Sequence, residues 1–219
     1  MGIRRGEILT PIIADGLLTN FDASNLASTI PSSATTVITN TANLSNSGTF
    51  SDAGSYDATN KCFNWDDIDD NFQLDSAIYL GKEYTYCAWI NPTAWSGEPI
   101  GGSAVGNAYF MFLVNGTSMY HSPLWGTTNV TINHGLSLST WVYFSLTRKD
   151  TSIIVYQNGV QYATGTLQSN TNSLTVRNFG TETGANYFYG GKQDNMNLYN
   201  RRLSPTEVLH NYNALKDRH

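Results

Sequence analysis

Two segments of alternating residues constrain the fold of this chain more than any other feature. Apolar and polar side chains alternate along residues 141–148 and 152–162, and a period of two indicates β-strands. Asn158 and Gly159 interrupt the second segment, and both residue types tolerate the positive φ angles that a type I′ hairpin turn requires. The sequence therefore predicts successive antiparallel strands joined by tight turns.

The same region carries a longer pattern, which ends in Gly-x-x-Asp-x-x-x-x-Tyr-Asn-Arg-x-Leu-Ser-x-x-Glu. The positions that fill it are Trp141, Tyr156, Asn158, Gly159, Gly191, Asp194, Tyr199, Asn200, Arg201, Leu203, Ser204 and Glu207. Over residues 17–215 the chain resembles the concanavalin A-like (laminin G-like) jelly-roll family. The resemblance implies an all-β fold, a two-sheet antiparallel jelly-roll sandwich with a short C-terminal α-helix. Because this fold carries lectins, glucanases and inert structural modules, it assigns no function by itself.

Two earlier segments also resemble strands of the family. Residues 62–70 match x-Phe-x-Phe-Asp-Gly-x-Asp-Asp, with Asp67 in place of the usual glycine, and residues 84–92 match Phe-Thr-x-x-Ala-Trp-x-x-Pro. In the second segment Tyr84, Tyr86, Ala88 and Ile90 fall on one face, whereas Cys87 and Trp89 fall on the other. Since both faces are apolar, we expect this strand in the middle of a sandwich.

A helix start follows the last predicted strand. Ser204 can serve as the N-cap, Pro205 fits the first helical position, and Glu207 completes a capping box. Apolar residues then follow at helical spacing, namely Val208, Leu209, Tyr212 and Leu215. We expect a helix over residues 205–216 whose apolar face packs on the sandwich edge.

We divide the chain into an N-terminal arm, residues 1–15, and one jelly-roll domain, residues 16–219. A β-sandwich of this size is routinely a single domain. The arm could dock on a neighbouring subunit through Ile3, Arg4, Arg5, Ile8 and Leu9, and a frayed end is the alternative. Cys62 and Cys87 are predicted to be two buried thiols, with a disulfide as the less favoured interpretation.

Composition narrows the classes of function. Charged residues make up 13% of the chain, far below the ~25% of an ordinary soluble domain, which suits secreted proteins, virion components and sugar binders. The net charge of −5 and the pI of about 5.2 argue against a nucleic-acid partner, because phosphate binding needs a basic face. No apolar run approaches the ~20 residues that span a bilayer. We therefore expect a soluble protein with no membrane partner, located in a virion or outside cells.

The glutamates argue against hydrolysis. Retaining glucanases of the family carry Glu-x-Asp-x-x-Glu or a close variant on one strand, which places two carboxylates ~5 Å apart. The glutamates of this chain are Glu7, Glu83, Glu98, Glu182 and Glu207, and no two of them have that spacing. We therefore predict that the protein is not an enzyme and has no catalytic residues.

Two sets of carboxylates are candidates for a structural Ca²⁺ ion. Many family members hold such an ion between the first and last strands, and the resemblance places Asp22 and Asp194 closest to that position. The alternative is that these carboxylates are satisfied by hydrogen bonds. A second set is an acidic run comprising Asp66, Asp67, Asp69, Asp70 and Asp75. For this run a turn whose carboxylates accept backbone N–H bonds is favoured over a calcium site.

Four side chains in or beside predicted loops are candidates for carbohydrate binding. Sugar sites use aromatic rings flanked by polar groups, and the candidates are Trp95, Tyr120, His121 and Trp125. A role in the core or in a subunit contact is the alternative for each of them. Trp65, Trp89 and Trp141 match buried framework positions instead.

We conclude that the sequence favours a non-enzymatic virion structural or adhesion module, such as a capsid decoration, fibre or receptor-binding component. Carbohydrate binding is an additional expectation, and the expected partners are other virion subunits and a cell-surface glycan. We also expect a homo-oligomer. The alternatives are a cell-encoded or secreted lectin and, less favoured, a β-glucan hydrolase.

Overall fold

The computed structural model describes nine stretches of the chain, and all structural statements below concern these residues. They are residues 11–25, 37–51, 56–95, 99–101, 109–113, 116–124, 128–170, 172–181 and 188–219. The first eight strands are β1 (Leu17–Phe21), β2 (Val37–Ile38), β3 (Gly48–Phe50), β4 (Tyr56–Asp57), β5 (Cys62–Asp66), β6 (Phe72–Gly81), β7 (Glu83–Pro92) and β8 (Pro99–Gly101). The later strands are β9 (Tyr109–Leu113), β10 (Ser118–Leu124), β11 (Thr128–Asn133), β12 (Val142–Lys149), β13 (Ser152–Gln157), β14 (Val160–Thr166), β15 (Leu174–Phe179) and β16 (Gly190–Tyr199). Helix α1 (Pro205–Leu215) follows β16 and continues into a 3₁₀ turn, Lys216–Arg218.

The described strands form three antiparallel sheets. The largest has the order β14-β13-β12-β7-β16-β5-β4, and β1 also pairs with β16. Two four-stranded sheets have the orders β11-β10-β9-β8 and β15-β6-β3-β2. Strands β5 and β1 pair with successive halves of β16, so the last long strand connects the beginning of the chain to the middle of the large sheet.

The principal hydrophobic core lies between the large sheet and the two smaller ones. From the large sheet it receives Tyr86 and Phe144, and from the smaller sheets it receives Leu74, Met119 and Val176. Strand β7 follows the predicted alternation, because its even-numbered residues enter this core while Cys87 and Trp89 belong to a second cluster. The predicted all-β sandwich is therefore confirmed.

Helix α1 covers the outer face of the large sheet. Val208 and Leu215 pack with Trp89 of β7 and Tyr143 of β12 in the second cluster. The helix also meets the expected edge of the sandwich, because Leu209 and Tyr212 lie against Gly159 at the turn before the edge strand β14. Leu209 was expected on the apolar face but is 41% exposed.

Asn211 occupies the buried position on α1 that the hydrophobic pattern did not predict. Its Nδ2 donates to Tyr199 Oη at 2.9 Å, and its Oδ1 accepts from the backbone N–H of Ile13 at 2.8 Å. A buried amide is tolerated because both ends are hydrogen-bonded. The side chain thereby connects α1 to β16 and to the segment that precedes β1.

Residues 11–15 of the predicted arm pack on the domain itself. Ile12 and Ile13 contact the second cluster, and the Asp15 carboxylate lies 2.8 Å from Arg201 Nε. The residues proposed for subunit docking, Ile3, Arg4, Arg5, Ile8 and Leu9, lie outside the described residues. Their docking role stays a prediction.

Several local predictions are confirmed by backbone geometry. Asn158 and Gly159 have φ angles of 49° and 79° at the turn between β13 and β14, as the hairpin interpretation requires. Asp67 has a φ of 67°, which explains why glycine is usual at that position.

Cys62 and Cys87 are free and buried. Among the described residues, no helix is long and apolar enough to cross a membrane.

The predicted capping box is present and leads to a testable pH dependence. Ser204 Oγ accepts from the Glu207 N–H, and Glu207 accepts from the Ser204 N–H. Arg201 donates two further hydrogen bonds to the Glu207 carboxylate, at 3.1 and 2.7 Å. Mainly because of these bonds from Arg201, the pKa of Glu207 falls from 4.5 to about 2.

A lowered carboxyl pKa stabilises the folded state above the unfolded-state value, and this contribution is lost as the pH falls through the folded-state value. We therefore expect Glu207→Gln to be less stable than the parent at pH 7, and the difference to vanish between about pH 4.5 and pH 2. Urea unfolding at a series of pH values measures this. Glu83→Gln, in an exposed ion pair of 3.6 Å with Lys149, is the control and should follow the parent. A Glu207→Gln deficit of equal size at pH 2 and pH 7 would contradict the assignment.

Candidate functional site

A cavity of about 380 Å³ opens where β5 ends and β16 begins. Ligand sites in proteins typically have ~300–1,000 Å³, so this cavity has the size of a site for one small ligand. Its lining comprises Asn64, Trp65, Asp66, Asp70, Thr93, Gly191 and Lys192. The lining therefore combines an indole with carboxylate, amide, hydroxyl and ammonium groups.

The pairing of β5 with β16 assembles most of this lining. Asn64 is opposite Lys192, and Trp65 is opposite Gly191, in the antiparallel register. Side chains alternate along a strand, so Asn64 and Asp66 share one face of β5 while Trp65 lies on the other, in the principal core. Thr93 follows the end of β7, and its N–H donates to Gly190 O at 2.9 Å. Three strands thus converge on one concave surface.

The acidic run forms a hydrogen-bonded turn at the rim of the cavity. Asp66 Oδ1 accepts from the N–H groups of Ile68 and Asp69 at 2.8 and 3.3 Å, and Asp70 Oδ2 accepts from the Asp66 N–H at 2.9 Å. These are the backbone bonds that the turn interpretation predicts. Carboxylate oxygens of Asp66, Asp69 and Asp70 lie within 4.8 Å of one another, and the turn therefore concentrates negative charge beside the cavity.

Trp65 belongs to the cavity lining, but its indole lies on the core side of β5 and is only 4% exposed. Its ring lies 5.2 Å from that of Phe50 and 6.3 Å from that of Tyr189, measured between centroids. The six-membered edge of the indole rests on Gly180. The prediction that Trp65 is a buried framework residue is confirmed.

The described side chains that were proposed for sugar binding lie outside the lining of this cavity. Trp95 is half-buried and stacks on His134 with 5.0 Å between ring centroids. Tyr120 is half-buried on β10. Neither residue belongs to the cavity lining, and their role in binding stays a prediction. Trp125 lies outside the described residues.

His121, proposed for sugar binding, is buried inside the sandwich. It is in β10 and is 0% exposed, and its Nε2 lies 2.8 Å from Tyr84 Oη. The alternation of β10 directs this side chain towards β7 rather than towards solvent. In this conformation His121 has no surface through which to contact a glycan.

Asp22 and Asp194, proposed as calcium ligands, are both buried at the junction of β1 and β16. Asp194 Oδ1 accepts from the N–H groups of Ala23 and Asn195 at 2.8 and 2.7 Å. Asp22 Oδ1 accepts from the Ser24 N–H at 2.9 Å. Calcium takes six to eight oxygen ligands, whereas these oxygens already accept hydrogen bonds from backbone donors. The donor set does not fit the ion, and the arrangement agrees with the hydrogen-bonding alternative.

Lys192 and Asn64 were not identified from the sequence as site residues. Neither occupies a motif that implies binding, and Lys192 lies between two landmark positions, Gly191 and Asp194. Only the strand register, which brings residues far apart in sequence opposite each other, places them in one cavity.

Comparisons with known proteins agree with this architecture. A family model described as the concanavalin A-like lectin/glucanases superfamily matches residues 66–209, about two thirds of the chain. No curated protein sequence is significantly similar to the chain.

Solved structures with low sequence identity share the fold. The binding domain of botulinum neurotoxin DC in complex with rat synaptotagmin II has a TM-score of 0.65 and 12% identity, covering 93% of this chain and 52% of that one. A structure of botulinum neurotoxin type C, which depends upon interaction with two ganglioside molecules to enter cells, has a TM-score of 0.65 and 10% identity over the same shares. Trypanosoma rangeli sialidase has a TM-score of 0.56 and 15% identity, covering 92% of this chain and 33% of that one. The chain thus spans a third to a half of the length of these structures.

Proposed function

The chain belongs to the concanavalin A-like lectin/glucanase superfamily, and we propose that it is a non-enzymatic adhesion module that binds a glycan in the cavity between β5 and β16. The observation that carries this proposal is the lining of that cavity. Asn64, Asp66, Thr93 and Lys192 offer hydrogen-bond donors and acceptors, and the aliphatic carbons of Thr93 and Lys192 offer apolar surface beside them. Sugars need such a surface because their hydroxyl groups donate and accept while their C–H faces are apolar.

The charge of the rim narrows the class of glycan. Asp66, Asp69 and Asp70 place three carboxylates within 4.8 Å of one another, and Lys192 contributes one ammonium group to the lining. Like charges disfavour an anionic ligand at such a site. The cavity therefore favours neutral or amino sugars over sialylated ones.

We expect Asn64→Ala combined with Lys192→Ala to weaken glycan binding about tenfold or more, because hydrogen bonds to a charged group contribute ~1.5–3 kcal/mol. A glycan array with neutral, amino and sialylated sugars, followed by calorimetry on the best ligand, measures this. Lys216→Ala removes the same charge from the exposed 3₁₀ turn and should bind like the parent.

Trp95→Ala distinguishes the cavity from the aromatic side chains proposed from the sequence. This variant should retain binding if the cavity is the site. If Trp95→Ala abolishes binding while the double variant binds like the parent, the site lies at Trp95 instead. A parent protein that binds nothing on the array would contradict the proposed glycan function altogether.

Two carboxylates in one cavity also favour a second candidate function, hydrolysis of a β-glucan. Asp66 and Asp70 both belong to the lining, but each is held by a backbone N–H within a single turn. Glycosidases place their two carboxyl groups on opposite sides of the scissile bond, whereas these two share one wall. Release of reducing ends from a β-glucan that is lost in both Asp66→Asn and Asp70→Asn would establish the enzyme and refute the binding module.

We further propose that the module is part of a virion, as a capsid decoration, fibre or receptor-binding component. Support comes from the low charged fraction of 13%, which suits a neutral polar surface. A cell-encoded or secreted lectin is the alternative. Mass spectrometry of purified virus particles distinguishes the two. A virion component should be present there in stoichiometric amounts, whereas a cell-encoded or secreted lectin should not.

A further inference from the structure

Two side chains, a guanidinium and an imidazole, occupy the place where the family resemblance puts a metal ion. Arg218 Nη1 donates to Asp22 Oδ1 at 2.7 Å, and His219 Nε2 lies 3.1 Å from Asp194 Oδ2. The two carboxylates are 5% and 0% exposed. Each of the buried acids at the junction of β1 and β16 thus has a partner from the segment that follows α1.

The His219 ring is held in an aromatic slot on the outer face of the large sheet. It stacks on Trp141 with 4.1 Å between centroids and an interplanar angle of 26°. On another side it meets Trp89 at 5.2 Å. The side chain is only 4% exposed, so the imidazole fills this slot and closes off Asp194 from solvent.

The two buried carboxylates at this junction need hydrogen-bonding partners. Burial raises the pKa of Asp194, and the hydrogen bond from His219 opposes that effect. A buried carboxylate costs several kcal/mol unless it is paired and hydrogen-bonded. Arg218 carries its charge at every ordinary pH, and it neutralises Asp22 by direct contact.

We propose that Arg218 and His219 replace the divalent cation of this fold, so that the β1–β16 junction is held together by the chain itself and does not depend on calcium. Pairing of the carboxylates with Arg218 and His219 excludes binding of Ca²⁺ at the same place. A Ca²⁺ ion bound to Asp22 would meet the Arg218 guanidinium at the same oxygen, and one bound to Asp194 would have to displace an imidazole packed on two indoles. The segment after α1 therefore takes over the role of connecting the first strand to the last.

Thermal unfolding of the parent and of designed variants tests the proposal. The parent should have the same Tm in calcium and in EDTA, or show a calcium-dependent rise that is equally large in Asp194→Asn and therefore arises elsewhere. Arg218→Ala combined with His219→Ala should lower the Tm by about 6 °C or more, because removing one partner of a buried pair is strongly destabilising and 1 kcal/mol corresponds to ~2–4 °C at this size. Lys216→Ala, two residues before Arg218 and exposed, should keep the parental Tm.

Two results would overturn the proposal. One is a rise in the parental Tm with calcium that Asp194→Asn abolishes, since this would place an ion at the junction. The other is a parental Tm in the double variant. If the double variant does not fold, terbium luminescence sensitised by Trp89 and Trp141 is compared between the parent and Asp194→Asn. Emission that calcium displaces in the parent and that Asp194→Asn abolishes would show an ion at the junction. None of these measurements involves a glycan, so the proposal can fail while the proposed function stands.

Discussion

Gly180→Ala should destabilise the protein by about 2–5 kcal/mol and weaken glycan binding in the molecules that remain folded. A Cβ atom at this position would clash with Cζ3 and Cε3 of Trp65. The indole cannot retreat freely because it packs against Phe50 and Tyr189. Since Trp65 lies between Asn64 and Asp66 in β5, its displacement shifts two polar side chains that line the cavity. Urea unfolding and calorimetric titration at a temperature below the transition measure the two effects.

Gly81→Ala is the matched control for this substitution. Gly180 and Gly81 both have positive φ angles, 79° and 64°, but a Cβ on Gly81 has no described atom within 4 Å. Gly81→Ala should therefore show only the backbone cost of about 1–2 kcal/mol and leave glycan binding intact. Equal destabilisation in the two variants would show that the Trp65 contact contributes nothing beyond the backbone conformation.

Arg148→Ala should cost about 3–5 kcal/mol of unfolding free energy. Arg148 is 0% exposed, and its guanidinium donates to Asp150 O and Asn172 O at 2.8 Å each and to Tyr84 Oη at 3.4 Å. The charge also lies 5.5 Å from the centroid of the Tyr84 ring. Truncation removes the donors from two carbonyl groups and leaves a cavity in their place.

Equilibrium unfolding of Arg148→Ala and Arg148→Met separates these contributions. Methionine refills most of the volume without restoring the donors, so Arg148→Met should recover part of the loss, not all of it. Lys149→Ala changes the neighbouring exposed cation, whose side chain is 57% exposed, and should stay within ~0.5 kcal/mol of the parent. A loss below 1 kcal/mol in Arg148→Ala would refute a structural role for the buried guanidinium.

Predictions from the sequence were most accurate where the decisive interactions are local. The Asn158-Gly159 turn and the Ser204–Glu207 capping box depend on residues within a few positions of each other, and both formed as expected. Alternation within β7 also assigned its two faces correctly. In each case the interacting residues are only a few positions apart, so a short stretch of sequence is enough to predict the contact.

The candidate site was less accessible to the same reasoning. His121 was proposed for sugar binding, because nothing near it in sequence indicates its hydrogen bond with the Tyr84 hydroxyl inside the sandwich. Asn64 and Lys192 carry no motif, and they share a cavity only through the pairing of β5 with β16. Arg218 and His219 follow a helix and were not assigned any role. Their partners Asp22 and Asp194 come from the first and last strands.

The amino-acid sequence alone determined the fold class, the central apolar strand, the hairpin turn and the start of the helix. Tertiary structure decided which polar groups meet: those of the cavity between β5 and β16, those around the buried Arg148, and the pairs that Arg218 and His219 form at the β1–β16 junction. The physical reason is that the alternation of apolar residues is a short-range pattern, and burying the apolar faces of the strands produces the two layers of the sandwich. Contacts between distant polar side chains depend instead on strand register and on the segment that packs over each face, which short-range patterns do not encode.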